Sequence, residues 1–233
     1  MTDLAPDWHR LDTADIQLPF GRTWHGYAQF DPVHDGHAFI TGPAASGKSV
    51  IAHNLAVAAG LQDHRVVNLT DSTFVTPRPA GPSLRETIEA LDRRLASDTF
   101  SHRIIVLADA DTVLTGRRAA DHADHLQTII EYGGRVGVHL ALFASDQNLS
   151  YAADLDAVDD LIPLLGQGFV ALLGTPAEGA RLRTFGREGL SVIAPGYPYS
   201  GLLRARGNEV EQFRAWRIGD TDFARTALKH VAA

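Results

Sequence analysis

Gly42-Pro43-Ala44-Ala45-Ser46-Gly47-Lys48-Ser49 stands between the apolar run His37-Ala-Phe-Ile-Thr41 and the alanine-rich stretch from Val50 to Leu61. It matches GxxxxGK[ST] at every fixed position, directly after a candidate strand and at the start of a candidate helix, where that pattern works. In such a bend the backbone N–H groups of residues 44 to 49 can wrap a β-phosphate, and the helix dipole favours the negative charge. Lys48 can bridge the β- and γ-phosphates, and the Ser49 hydroxyl can ligate Mg2+. Gly42 and Gly47 permit a turn that a Cβ would obstruct. Gly42, Ala44, Ala45, Ser46, Gly47, Lys48, Ser49 and Val50 are the candidate nucleotide-binding residues, and ATP with Mg2+ is the expected ligand.

The background sharpens this reading. Of 21 basic residues only Lys48 and Lys229 are lysines, yet one of them falls where a compact ammonium is wanted. The chain has 233 residues, 45% of them hydrophobic, enough for a buried core. A net charge of −7 gives no whole-surface attraction to nucleic acid, so any DNA contact needs a local arginine patch or many subunits presenting one. There is no cysteine, which excludes disulfides and thiolate metal sites. No apolar run of about eighteen residues and no export signal is visible, so no membrane span and a cytoplasmic setting are expected.

From residue 37 onward short apolar runs alternate with helical patterns, the mark of a mostly parallel sheet with helices packed on it. The runs cover 37–41, 65–69, 103–108, 138–144 and 168–173; the helical patterns cover roughly 48–60, 83–97, 117–133, 152–165 and 177–185. Residues 1–36 read as a lead-in with an edge hairpin. After Gly186, LSVIA, GLLRA and VEQFRAWRI read as strands, the last two joined by an Arg-Gly-Asn turn, and TDFARTALKHV as a C-terminal helix. TPRPAGPS at 76–83 reads as a loop. One α/β domain over 1–233 is expected: lead-in 1–36, nucleotide-binding core 37–186, closing hairpin and helix 187–233.

Hydrolysis needs a carboxylate at the tip of a neighbouring strand for the Mg2+ shell, and an acid that polarises water. The tip of RIIVLADADTVL carries Ala108-Asp109-Ala110-Asp111, with no two acids consecutive. Two registers are open: Asp109 serves the metal with Ala110 in the acid's place, or Ala108 and Asp109 fill the two places. Asp109 and Asp111 are the candidate catalytic residues, Ser49 and Asp109 the candidate metal ligands. Asp111 either turns inward or caps the next segment. Ser145, Asp146 or Gln147 sits where a γ-phosphate could be sensed, with an ordinary strand-end loop as the alternative.

With these pieces in order, the chain resembles the FtsK/SpoIIIE family of ring-forming P-loop ATPases, which includes double-stranded DNA translocases and the tandem ATPase domains of the type VII secretion motor EccC. LPFGRTWHGYAQFDPVHDGHAFITGPAASGKS is similar to the family's opening hairpin, strand and P-loop, and LQTIIEYGGRVGVHLALFAS to its RAxGIHLVLATQ-like segment, here at Arg135, Gly137, His139 and Leu140. GFVALLGTPAEGARLRTFG resembles the strand and SRxxLG-like helix, and PGYPYSGLLRARGNEVEQFRAWRI the closing PGxGLLR hairpin. The resemblance implies a RecA-like core with extra antiparallel strands at both ends, ring or tandem assembly, and double-stranded DNA or a secretion-substrate peptide as cargo. The departures fall at the γ-phosphate end: no DE-type pair, and Ser145-Asp146-Gln147-Asn148 in place of TQRP. They leave two readings, an ATP-driven DNA translocase and a degenerate domain that binds ATP with little hydrolysis as a regulatory or docking module.

Other features have plainer readings. Asp121-His122-Ala-Asp124-His125 and the acids at 154, 156, 159 and 160 read as solvated helix faces. His139 reads as a satisfied core histidine. Arg181, Arg183 and Arg187 read as surface residues, with a trans-acting arginine as the sharper alternative. Trp8, Trp24 and Trp216 read as packing anchors.

Overall fold

The computed structural model describes residues 17–70, 83–97, 100, 102–145, 147, 149–152, 155–193, 195–205 and 207–216. The apolar runs become β3 (Ala38–Thr41), β4 (Arg65–Leu69), β5 (Ile104–Asp109), β6 (Val138–Ala144) and β7 (Phe169–Leu173). Every residue of β3, β6 and β7 is buried, as expected of strands covered on both faces. These strands pair in parallel in the order β7-β3-β6-β5-β4.

An antiparallel half extends the sheet beyond β7. The lead-in supplies β1 (Leu18–Arg22) and β2 (Tyr27–Phe30), and the closing segment supplies β8 (Ser200–Arg204) and β9 (Glu211–Ala215). Among the described residues the full order is β2-β1-β9-β8-β7-β3-β6-β5-β4. Phe20 makes edge-on ring contacts with Phe169 (5.7 Å) and Phe213 (5.5 Å), tying β1 to β7 and β9. Buried Asn54 links β1 to the residue after β9 through polar atoms, its amide donating to Phe20 O (2.9 Å) and Trp216 O (3.0 Å).

The helices are α1 (Pro32–Asp35), α2 (Lys48–Leu61), α3 (Leu84–Ser97), α4 (Ala110–Val113), α5 (Ala119–Tyr132), α6 (Asp156–Leu165), α7 (Glu178–Phe185) and α8 (Glu188–Ser191). The α3 start is a capping box: Ser83 N donates to Glu86 Oε2 (2.6 Å) and Glu86 N to Ser83 Oγ (3.3 Å). One core lies under α2, where Ile51 and Leu55 meet Ile40, Ile105, Leu107 and Phe143. On the other face, residues of α3, α5 and α6 meet Ala108, Leu140 and Leu142.

LSVIA is a correction. Its residues Leu190 and Ser191 close α8, and among the described residues the segment pairs with no strand. Side chains instead take up its carbonyls: Arg181 donates to Val192 O (2.8 Å) and Gln212 to Ile193 O (2.6 Å). Trp24 is a second correction, 86% exposed on the β1–β2 turn, whereas Trp216 is buried as expected. Residues 1–16, most of TPRPAGPS and the C-terminal helix expectation lie outside the described residues.

Candidate functional site

The bend from Gly42 to Ser49 joins β3 to α2 at the carboxyl end of the parallel strands. Gly42 N donates to Ala144 O (3.2 Å), anchoring the bend to β6. A Cβ on Gly42 would lie 2.8 Å from Ser46 Oγ and 2.9 Å from Leu173 Cβ, so the first glycine is required by packing. Gly47 caps α2 at φ 110°, and a Cβ there would approach Tyr199 Cδ1 to 2.8 Å. Ala45 also sits in the left-handed region, at φ 60°.

These dihedrals turn the amides into a concavity. Ser46 N donates to Pro43 O, and Val50 N and Ile51 N donate to Gly47 O. The amides of Ala44, Ala45, Gly47, Lys48 and Ser49 have no backbone acceptor among the described residues. Five such donors at the start of a 14-residue helix form a nest for an anion. Lys48 reaches back over them, its Nζ donating to Gly42 O (2.6 Å) and Pro43 O (3.1 Å). Burial pushes the Lys48 pKa down, with the charges of Asp111 and Asp109 opposing.

The carboxylates resolve into distinct roles. Side chains alternate along β5, so Asp109 shares a face with Ile105 and Leu107, on the α2 side. Ala108 and Ala110 are fully buried in the opposite core. Asp109 also caps α4, its Oδ1 accepting from Asp111 N (3.0 Å). Asp111, the residue for which capping was the alternative, turns inward instead. Its Oδ1 accepts from Ser145 N (3.1 Å) and its Oδ2 from Ser145 Oγ. Desolvation would raise the Asp111 pKa, but hydrogen bonds from Ser145 Oγ, Tyr151 and Ser145 N, with the charge of Lys48, outweigh it and hold the carboxyl below its usual range.

Ser145 therefore stands at the tip of β6 beside the bend, already engaged by Asp111. Gln147 belongs to another contact: with its amide oxygen toward α7 it accepts from Arg183 Nε (2.7 Å) and Nη2 (2.9 Å) and donates to Thr184 Oγ1 (2.9 Å). Asp146 lies outside the described residues. Arg181 is tied to the backbone at Gly189 and Val192, while Arg187 is exposed. Among the described residues no cluster of His, Asp and Glu could hold a metal, and His122 is bonded to Val113 O through Nδ1 (2.9 Å). His139 is a core histidine, 1% exposed.

Two residues of the site were not read from the sequence. Tyr151 has no motif around it, and only the fold brings it to Asp111. Tyr199 lies between Pro198 and Ser200 just before β8, and its packing on Gly47 depends on the antiparallel half reaching the bend.

No family model matches the chain, and no curated protein does. Solved structures match it in fold. The pCW3 conjugation coupling protein TcpA, in its monomer form with ATPγS, superposes with a TM-score of 0.73 at 16% identity, over 98% of this chain and 74% of that one. The chain shares the fold of P-loop ATPases. The cytoplasmic domain of the Thermomonospora curvata type VII secretion ATPase EccC gives 0.62 at 11% identity, over 94% of this chain and 28% of that one. ATPases 2 and 3 of EccC from the same organism, in complex with a signal sequence peptide, give 0.63 at 11% identity, over 94% and 44%. The chain thus spans less than half the length of these EccC structures. The resemblance read from four blocks of sequence is met in the arrangement of the ATPase fold.

The residues present fit a magnesium-bound nucleotide. Amides with no backbone acceptor among the described residues, a half-buried ammonium and the exposed Ser49 lie on one bend, and Asp109 lies on the same face of the sheet. Among the described residues no helix is long and apolar enough to cross a membrane.

Proposed function

We propose that this chain is an ATP-binding motor domain of the FtsK/SpoIIIE type, with a RecA-like core, holding Mg·ATP at Gly42 to Val50. The five amides without backbone acceptors carry this reading. Lys48 would neutralise the β- and γ-phosphates, Ser49 and Asp109 would hold the metal, and Asp111 is the second candidate acid, for positioning the attacking water. The metal supplies charge neutralisation on the phosphate oxygens. The RecA-like assignment is supported by β6 lying between the strand that leads into the bend and the strand that carries Asp109.

ATP-driven translocation of double-stranded DNA by a ring of such chains, in a cytoplasmic setting, is the first reading, supported by the likeness to a conjugation coupling protein. A degenerate secretion-type domain that binds ATP with little turnover and docks a substrate peptide is the second, and a specific observation favours it. The place after Asp109 is taken by a fully buried alanine, and Asp111 is bound to Ser145. Nucleotide affinity measured alongside turnover, with and without duplex DNA, tests both. Micromolar binding with DNA-stimulated hydrolysis supports the motor; binding without turnover supports the docking module; no binding removes both.

A further inference from the structure

Beside the bend, among the described residues, two carboxylates face one ammonium. The charges of Asp111 and Asp109 both act on Lys48, that of Asp111 the more strongly. Asp111 is in turn fastened by three donors: Ser145 N (3.1 Å) and Ser145 Oγ from the tip of β6, and Tyr151 a few residues beyond. Ser145 directly follows Ala144, whose carbonyl accepts from Gly42 N, so the carboxylate is tied to the strand that borders the bend. Arg183, a guanidinium on α7 that could offset the charge, is taken up by the amide oxygen of Gln147.

The consequence depends on how many phosphates arrive. In a bend of this kind the amides and the lysine receive the β-phosphate, and a third phosphate extends past the lysine toward the neighbouring strand tips. Here those tips carry Ser145 with Asp111 on it, and Asp109. The donors at the tip of β6 that would receive the third phosphate are already spent on Asp111. Its carboxylate leaves only by giving up three hydrogen bonds, and the same bonds with the charge of Lys48 hold it below its usual pKa range, so at neutral pH it is ionised. Like charges a few ångströms apart in a half-buried site weaken binding about tenfold or more.

Resting on the reading of the cradle as a nucleotide site, we propose that Asp111, fastened by Ser145 and Tyr151, is a specificity-determining charge that makes the cradle prefer a nucleoside diphosphate to a triphosphate. The triphosphate binds, but more weakly, and the diphosphate-bound form is the resting state of the site. A carboxylate that already accepts from three donors is also a poor acceptor for the proton of a water, in accord with the reading of little turnover.

Calorimetric titration of the full chain with Mg·ADP and with Mg·ATPγS, which resists turnover, tests the preference. The unaltered chain is expected to bind Mg·ADP about tenfold more tightly. Asp111→Asn keeps the shape and drops the charge; it is expected to tighten Mg·ATPγS about tenfold and to shift Mg·ADP by less than about twofold, so that the preference disappears. Tyr151→Phe removes one donor and keeps the charge, and the preference should persist. Equal affinity of the unaltered chain for the two nucleotides would overturn the proposal, as would equal shifts of both in Asp111→Asn, the mark of a merely structural role. Binding of neither nucleotide by the unaltered chain would remove the cradle reading itself, and the preference with it.

Discussion

Lys48 Nζ lies 2.6 Å from the carbonyl oxygen of Gly42, so the ammonium is held by the bend it serves. The carbonyls hold the amine at the bend, and the Coulomb pull of Asp111 and Asp109 opposes the lowering of its pKa that burial causes. An incoming phosphate then meets a preorganised positive centre. Lys48→Ala is expected to weaken Mg·ATP binding roughly 10- to 100-fold, the loss of a charge-assisted contact. Its fold should persist, because the helix and strand on either side pack through other residues. Titration and circular dichroism check the two halves; unchanged affinity would remove Lys48 from the site.

Ala110 follows Asp109 directly, and a glutamate there is the obvious way to seek a stronger hydrolytic site. The side chain faces the core of α5 and Leu142, not the bend. Ala110→Glu is therefore expected to cost about 3 kcal/mol of stability through burial of an unpaired carboxylate, and to raise turnover not at all. Thermal melting beside an ATPase assay reads both outcomes. A gain in turnover at unchanged melting temperature would show that residue 110 can turn to the γ-phosphate.

The parallel half of the sheet was legible in the sequence because strands covered on both faces read as apolar runs, as β3, β5, β6 and β7 do, while edge strand β4, with only Val67 buried, shows a shorter one. The bend was legible because its chemistry demands particular residues at particular places. LSVIA misled for the same reason that the others succeeded: it is an apolar run. Its carbonyls are bonded by the side chains of Arg181 and Gln212, from 11 and 19 residues away, and no local pattern announces that. Which of Asp109 and Asp111 caps the next helix was equally hidden. Both are acids at a strand tip, and only the start of α4 decides which one caps and which one crosses to Ser145.

Asn54 is a polar residue with no exposure, in the middle of an apolar helix, and its amide nitrogen joins the backbones of β1 and the end of β9. Removing it leaves the Trp216 carbonyl without this donor and opens space under α2. Asn54→Ala is expected to lower stability by about 1–3 kcal/mol. Asn54→Leu should do no better, since added apolar volume does not satisfy the carbonyl. Denaturant titration distinguishes the variants. Stability at the original level in Asn54→Leu would show that the bridge contributes only packing.

His37 and His139 lie with ring centroids 6.1 Å apart at the end of the sheet away from the bend. His37 Nδ1 accepts from Leu140 N (3.0 Å), while its other nitrogen donates to the Ile130 carbonyl. His139 Nδ1 donates to Gly36 O (2.8 Å), and its Nε2 accepts from Arg103 Nη1 (3.2 Å). Each ring is thus satisfied in the neutral form. Desolvation is the main cause that lowers the pKa values, His37 to about 4 and His139 to about 3, against 6.5 in the unfolded chain. The unfolded chain binds more protons between those values, so stability rises with pH there. The contribution is fully present above pH 6.5 and is lost as pH falls toward 4 and then 3. For His37 alone it is on the order of 3 kcal/mol. Melting temperature is therefore expected to fall steeply between neutral pH and pH 5, and the slope should flatten in His139→Gln, which keeps an acceptor for Arg103 without a titrating ring. A slope as steep in His139→Gln as in the unaltered chain would assign the acid sensitivity to other groups.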